Sequence, residues 1–144
     1  MQHLSCCYKI HINTRFAKPY IMKVEEFEKQ FPRDKLREIY KYENGAAFEK
    51  FYSGVVKIHC NDVTNGIADL KESLHIESSN PHPYHFMYMA LLFSDDVSDE
   101  EIWNMVDEWV KVADKSGIPR QIAFSRDAYA HESHRRMKEF SMVA

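Results

Sequence analysis

The sequence predicts an α+β (or α/β) fold, a layered domain in which helices pack on one mixed sheet of four to five strands. Three observations lead there. Tyr84 to Ser94, YHFMYMALLFS, is apolar or aromatic on both alternating sets of positions, as a central strand covered on both faces requires. Short β-branched segments such as GVVKIHC and RQIAFS have the length and composition of strands. Amphipathic stretches of helical period fall between most of these segments, which favours a sheet with connecting helices. With 144 residues and no linker or low-complexity tract, the chain is expected to form a single domain, 1–144. A hydrophobic share of 44% and an aromatic share of 13% set it apart from disordered chains.

The elements follow in order. SCCYKIHIN, from Ser5, reads as the first strand. VEEFEKQF, from Val24, and RDKLREIYKYENG, from Arg33, read as short helices, the second closed by Asn44-Gly45. GVVKIHC, from Gly54, is the second strand, and TNGIADLKESL, with Ile67, Leu70 and Leu74 on one face, is a helix. After the 84–94 strand comes the clearest element. Ser98 and Glu101 form an S-x-x-E capping box, Val97 and Ile102 a hydrophobic staple. Ile102, Met105, Val106, Trp109, Val110 and Ala113 then recur at helical spacing until Gly117 and Pro119, so a helix spans 99–116 and packs on the 84–94 strand. RQIAFS, from Arg120, is the last strand. The segment beyond it reads as an amphipathic terminal helix with Tyr129, Met137 and Phe140 inward.

A net charge of -3 does not mark a nucleic-acid binder, but the distribution is uneven. Residues 95–108 hold seven carboxylates and no basic residue, whereas Lys115, Arg120, Arg126, Arg135, Arg136 and Lys138 face only Asp127 and Glu132 across 115–138. The N-terminus has no basic-then-apolar leader pattern, and no window approaches a membrane span, so no membrane partner is expected. Three cysteines, two of them adjacent, form neither a disulfide framework nor a metal pair, and a cytoplasmic setting is expected. A Gly-rich phosphate loop, a G-x-S-x-G elbow and an H-E-x-x-H motif are all missing.

The histidines carry the chemical expectations. HIESSNPHPYHF places His75, His82 and His85 within eleven residues, a candidate set of ligands for a divalent metal, against a plainer reading as a proline-stiffened polar loop. KIHIN and KIHCN put His11 and His59 on equivalent strand faces, which resembles the two-histidine phosphoesterases, although asparagine stands at the hydroxyl position in both copies. Tyr84 to His134, ending in FSRDAYAHESH, resembles the core of HUH-type plasmid mobilisation relaxases. That resemblance implies catalytic roles for Asp127, His131 and His134 around a divalent metal, with Ser125 where the family's first histidine belongs. The pair here is H-x-x-H rather than H-x-H, and it precedes RRMKEF, a helical sequence. HIESSNPH fits a variant of the same family's motif through His75, Glu77, Pro81 and His82, with His85 one place late.

Two function classes remain. The first is a small non-enzymatic binding protein of phage or plasmid accessory type, docking on a host protein or single-stranded nucleic acid through Arg126, Arg135, Arg136, Lys138 and the off-face Trp103. The second is an HUH-like, metal-dependent nicking enzyme or phosphodiesterase. No catalytic constellation is complete, which places the binding class first.

Overall fold

The computed structural model describes residues 22–92, 94 and 97–143, with side chains described as far as Lys138. Every regular element among the described residues is a helix: α1 Val24–Gln30, α2 Arg33–Tyr40, α3 Gly45–His59, α4 Val63–Ile76, α5 His82–Leu92, α6 Asp99–Ser116 and α7 Pro119–Val143. The expected α+β domain is overturned, because no strand and no sheet occur among the described residues. The SCCYKIHIN segment lies outside them.

Each misread strand has a physical cause. GVVKIHC is a fragment of α3, in which Ala47, Phe48, Phe51, Tyr52, Val55 and His59 are buried at three- and four-residue steps. Its β-branched residues resemble a strand because about seven residues are too few to show the helical period. Asn44-Gly45 opens this helix rather than closing the previous one: Asn44 Oδ1 accepts from the N–H groups of Ala46 (2.9 Å) and Ala47 (3.1 Å). The helix before it, α2, ends instead at Lys41 in the left-handed region (φ 52°). Residues 84–92 of this segment, YHFMYMALL, belong to α5, which is apolar around most of its circumference, so its pattern carries neither period. Pro83 is tolerated because it occupies the first turn, where its missing N–H has no helical acceptor. RQIAFS forms the opening turns of α7, whose buried stripe, Gln121, Ser125, Ala128 and Glu132, is polar or small and hides the helical pattern.

Three of the helix readings hold. The capping box is formed, with Glu101 N–H donating to Ser98 Oγ at 3.2 Å, and Gly117 ends α6 at φ 68°. VEEFEKQF and TNGIADLKESL are helical as α1 and α4.

The chain forms two compact units, Met1–Glu77 and Ser78–Ala144. In the first, α3 and α4 cross in backbone contact. A Cβ on Gly54 would lie 2.8 Å from the Gly66 carbonyl oxygen, and one on Gly66 would lie 2.6 Å from Ile58 Cγ1, so neither position admits a side chain without displacement. Around this crossing the core is aromatic: Tyr40 and Tyr42 lie 4.9 and 5.1 Å from Phe51, and Phe27 packs on Tyr52 at 5.9 Å. Ser73 Oγ donates to the Ala47 carbonyl at 2.7 Å, which leaves it to accept from Tyr42 at 3.3 Å. Burial raises the Tyr42 pKa, so the phenol keeps the proton this bond needs.

The second unit is a bundle of α5, α6 and α7. Tyr88, Ile102, Val106, Trp109, Ala113 and Ala128 form its buried cluster, so the inward face read for 99–116 is the observed one, although its partner at 84–92 is helical. Among the described residues no helix is long and apolar enough to cross a membrane.

His59, in the last turn of α3, generates a pH prediction. Its Nδ1 meets the Val55 carbonyl at 2.7 Å, its ring packs 5.1 Å from Phe27, and burial lowers its pKa from 6.5 to about 4. The folded pKa lies below the unfolded one, so this contribution is complete above pH 6.5 and is lost as pH falls towards 4, a linkage on the order of 3 kcal/mol. Urea unfolding followed by circular dichroism should therefore show a steeper loss of stability between pH 7 and about 4.5 for the wild type than for His59→Phe. Equal pH dependence in the two proteins would count against a buried neutral His59.

Candidate functional site

The second unit holds a continuous polar network inside its apolar core. Gln121, buried on α7, accepts at Oε1 from the Trp109 indole N–H at 2.9 Å. That fixes its amide orientation, so Nε2 donates to His82 Nδ1 at 3.2 Å and the His82 proton resides on Nε2. One glutamine thus ties α5, α6 and α7 together. A second network lies further along α7. Glu132 is buried and accepts from the Tyr88 hydroxyl at 3.1 Å and from Arg135 Nη1 at 2.9 Å, while Arg135 Nη2 bonds Asp99 at the start of α6. Burial, followed by the Glu132 charge, raises the Tyr88 pKa and keeps that phenol a donor.

These networks set the rotation of α7 and therefore what it shows outside. Trp103 and Tyr129 stack across the α6–α7 seam with ring centroids 4.8 Å apart, and the Arg136 guanidinium lies 4.7 Å over the Trp103 ring. Tyr129 is 39% exposed and Met137 69% exposed, so the inward placement expected for both does not occur; the Phe140 side chain lies outside the described set.

The predicted site residues separate into distinct environments. His75 ends α4 in the first unit and is exposed, whereas His82 and His85 belong to α5 in the second. His82 is engaged by Gln121, and the His85 ring packs on Phe124 at 5.1 Å and Trp109 at 5.7 Å. Among the described residues no three His, Cys, Asp or Glu side chains are grouped to hold a metal. The second copy of the KIH echo closes α3, and Asn61 follows at φ 66°, so His59 and Asn61 do not share a strand face. The first copy lies outside the described residues. Asp127, His131 and His134 are exposed on one side of α7, spaced as i, i+4 and i+7, and His131 Nε2 lies 3.8 Å from Glu132.

Two of the basic residues of α7 pair with acidic residues of α6. Arg126 Nη2 reaches both Asp114 oxygens at 3.2 and 3.3 Å, and Arg135 is held by Asp99 and Glu132. The acidic and basic runs are visible in the sequence, but the Arg135–Asp99 pair between them is not. Glu132 and Gln121 were missed as well, although both fall on the stripe 121, 125, 128, 132 that helical spacing turns inward.

Arg135→Met should lower the stability of the second unit by about 2 kcal/mol, because the Glu132 carboxylate stays buried while its cationic partner is lost, discounted for the part-exposed arginine. Lys138→Met, at an exposed position, should leave the urea midpoint nearly unchanged. Equal effects from the two substitutions would mean that the Glu132 pair is not structural.

No protein-family model matches the chain, and no curated protein or solved structure matches it either.

Proposed function

We propose that the chain is a small non-enzymatic binding module of accessory type that docks a protein partner on the outer α6–α7 seam. The observation that carries this reading is the Arg136 guanidinium stacked on Trp103, with Tyr129 beside it and part exposed. Trp, Tyr and Arg supply most of the energy of protein–protein contacts. A guanidinium resting on an indole keeps its N–H edge outward and loses little freedom when it binds. A protein is favoured over a nucleic acid because Arg126 and Arg135 are already paired, and because Glu100, Glu101 and Glu108 lie exposed along α6, where they would repel a phosphodiester backbone. A reducing, cytoplasmic setting suits the free Cys60.

The competing proposal, a metal-dependent nucleic-acid enzyme using Asp127, His131 and His134, draws on their shared side of α7. It requires cleavage of single-stranded DNA with Mg²⁺ or Mn²⁺ that disappears in His131→Ala and His134→Ala.

A random peptide library panned on the full chain separates the two. The docking reading expects ligands that bind the wild type and lose about tenfold or more in affinity to Trp103→Ala or Tyr129→Ala, while an oligothymidylate binds weakly at physiological salt. Ligands indifferent to both substitutions, or steeply salt-dependent oligonucleotide binding, would contradict it.

A further inference from the structure

We infer that the partner segment of this seam is an amphipathic helix that gives one carboxylate to Arg136 and, two turns along, an apolar side chain to Tyr129; the inference rests on the docking reading above. Arg136 and Tyr129 are seven residues apart on α7, which places them on one face of the helix about 10 Å apart along its axis. Trp103 bridges them from α6, 4.7 Å from the guanidinium and 4.8 Å from the Tyr129 ring. A helix lying along α7 presents its own i and i+7 side chains at that same separation.

Charge complementarity selects the carboxylate and limits its number. Arg126 is engaged by Asp114, and Arg135 by Asp99 and Glu132. Among the described residues no carboxylate pairs with Arg136, whose contact is the indole face, so its charge is not neutralised by an ion pair. On the α6 edge of the seam, Glu100 and Asp107 would repel further acidic groups, and Lys111 already bridges Asp107 and Glu108. The matching partner therefore carries its acid on the α7 side and neutral or basic residues towards α6. A chain-terminal carboxylate is disfavoured, because capture of that group uses free backbone N–H donors, and a mid-helix site such as Arg136 offers none.

A test uses an alanine-rich helical peptide library randomised at positions i, i+3, i+4 and i+7, panned on the full chain and measured by fluorescence anisotropy. Recovered ligands should carry Asp or Glu at i and an apolar residue at i+7, and Glu→Gln at i should weaken binding about tenfold. Arg136→Glu, a change at the surface, should reverse the preference at i to Lys or Arg. Ligands that need Trp103 but show no acidic preference, and no reversal with Arg136→Glu, would overturn the inference while leaving the docking reading in place. Ligands insensitive to both Trp103→Ala and Arg136→Glu, or displaced by oligothymidylate, would overturn the docking reading itself. Recovery of no ligand would overturn both.

Discussion

A single buried amide orders the second unit. Gln121 receives the Trp109 indole N–H on one side and donates to His82 on the other, so the three helices share one buried polar contact. An unmet buried donor or acceptor costs about 1–3 kcal/mol, and any rotation of α7 that displaced Gln121 would strand two such groups, Trp109 Nε1 and His82 Nδ1. Apolar packing alone tolerates alternative rotations of a helix with similar burial. The Gln121 contacts do not. Glu132, three turns further along the same stripe, repeats the device with Tyr88 and Arg135. With α7 held at two polar points, Tyr129 and Arg136 have only one place to go, against Trp103 on the outside of the seam.

The first unit reaches a defined packing by other means. Its helices are set by absence of bulk, since the facing Gly54 and Gly66 bring α3 and α4 into backbone contact that no side chain could permit. Large rings then fill the surrounding space, and edge-to-face and tilted pairs such as Tyr40–Phe51 and Phe27–Tyr52 prefer particular angles. Polar atoms within this core are few: Ser73 is satisfied between Tyr42 and Ala47, whereas the buried His59 is bonded at Nδ1 and leaves its Nε2 without a partner among the described residues. Asp69, joined by Lys57 at 2.6 Å and Ser53 at 2.7 Å, clips α3 to α4 at the rim, where exposed lysines make the gain modest.

What could be read from the sequence depended on whether an element advertised its period. The α6 helix has a serine cap, a glycine stop and apolar residues on one face, and all three signals agreed, so its limits and its inward face were legible. The α5 helix is apolar nearly all round, which is also how a central strand looks, and only tertiary packing decides between them. The α7 helix failed for the opposite reason, because its buried positions include Gln121, Ser125 and Glu132, which a hydrophobic pattern counts as exposed. The same residues explain why the site was only partly legible. Trp103 stands out for lying off the apolar face, and Arg136 for its place in a basic run, but the stacking that joins them depends on a register fixed by buried polar residues that a hydrophobic pattern does not mark. The histidines drew attention through chemistry rather than position, and the helices place His75 in one unit and His82 and His85 in the other.

Hydrogen exchange at the two tryptophan indole N–H groups, followed by NMR, tests the central claim that Gln121 fixes the bundle from inside while Trp103 serves its surface. The Trp109 indole proton, buried and bonded to Gln121, should exchange only when the second unit opens, slower than that of half-buried Trp103 by about a hundredfold or more. Comparable rapid exchange at both indoles would contradict the account, because Trp109 would then be neither closed off from water nor held by Gln121.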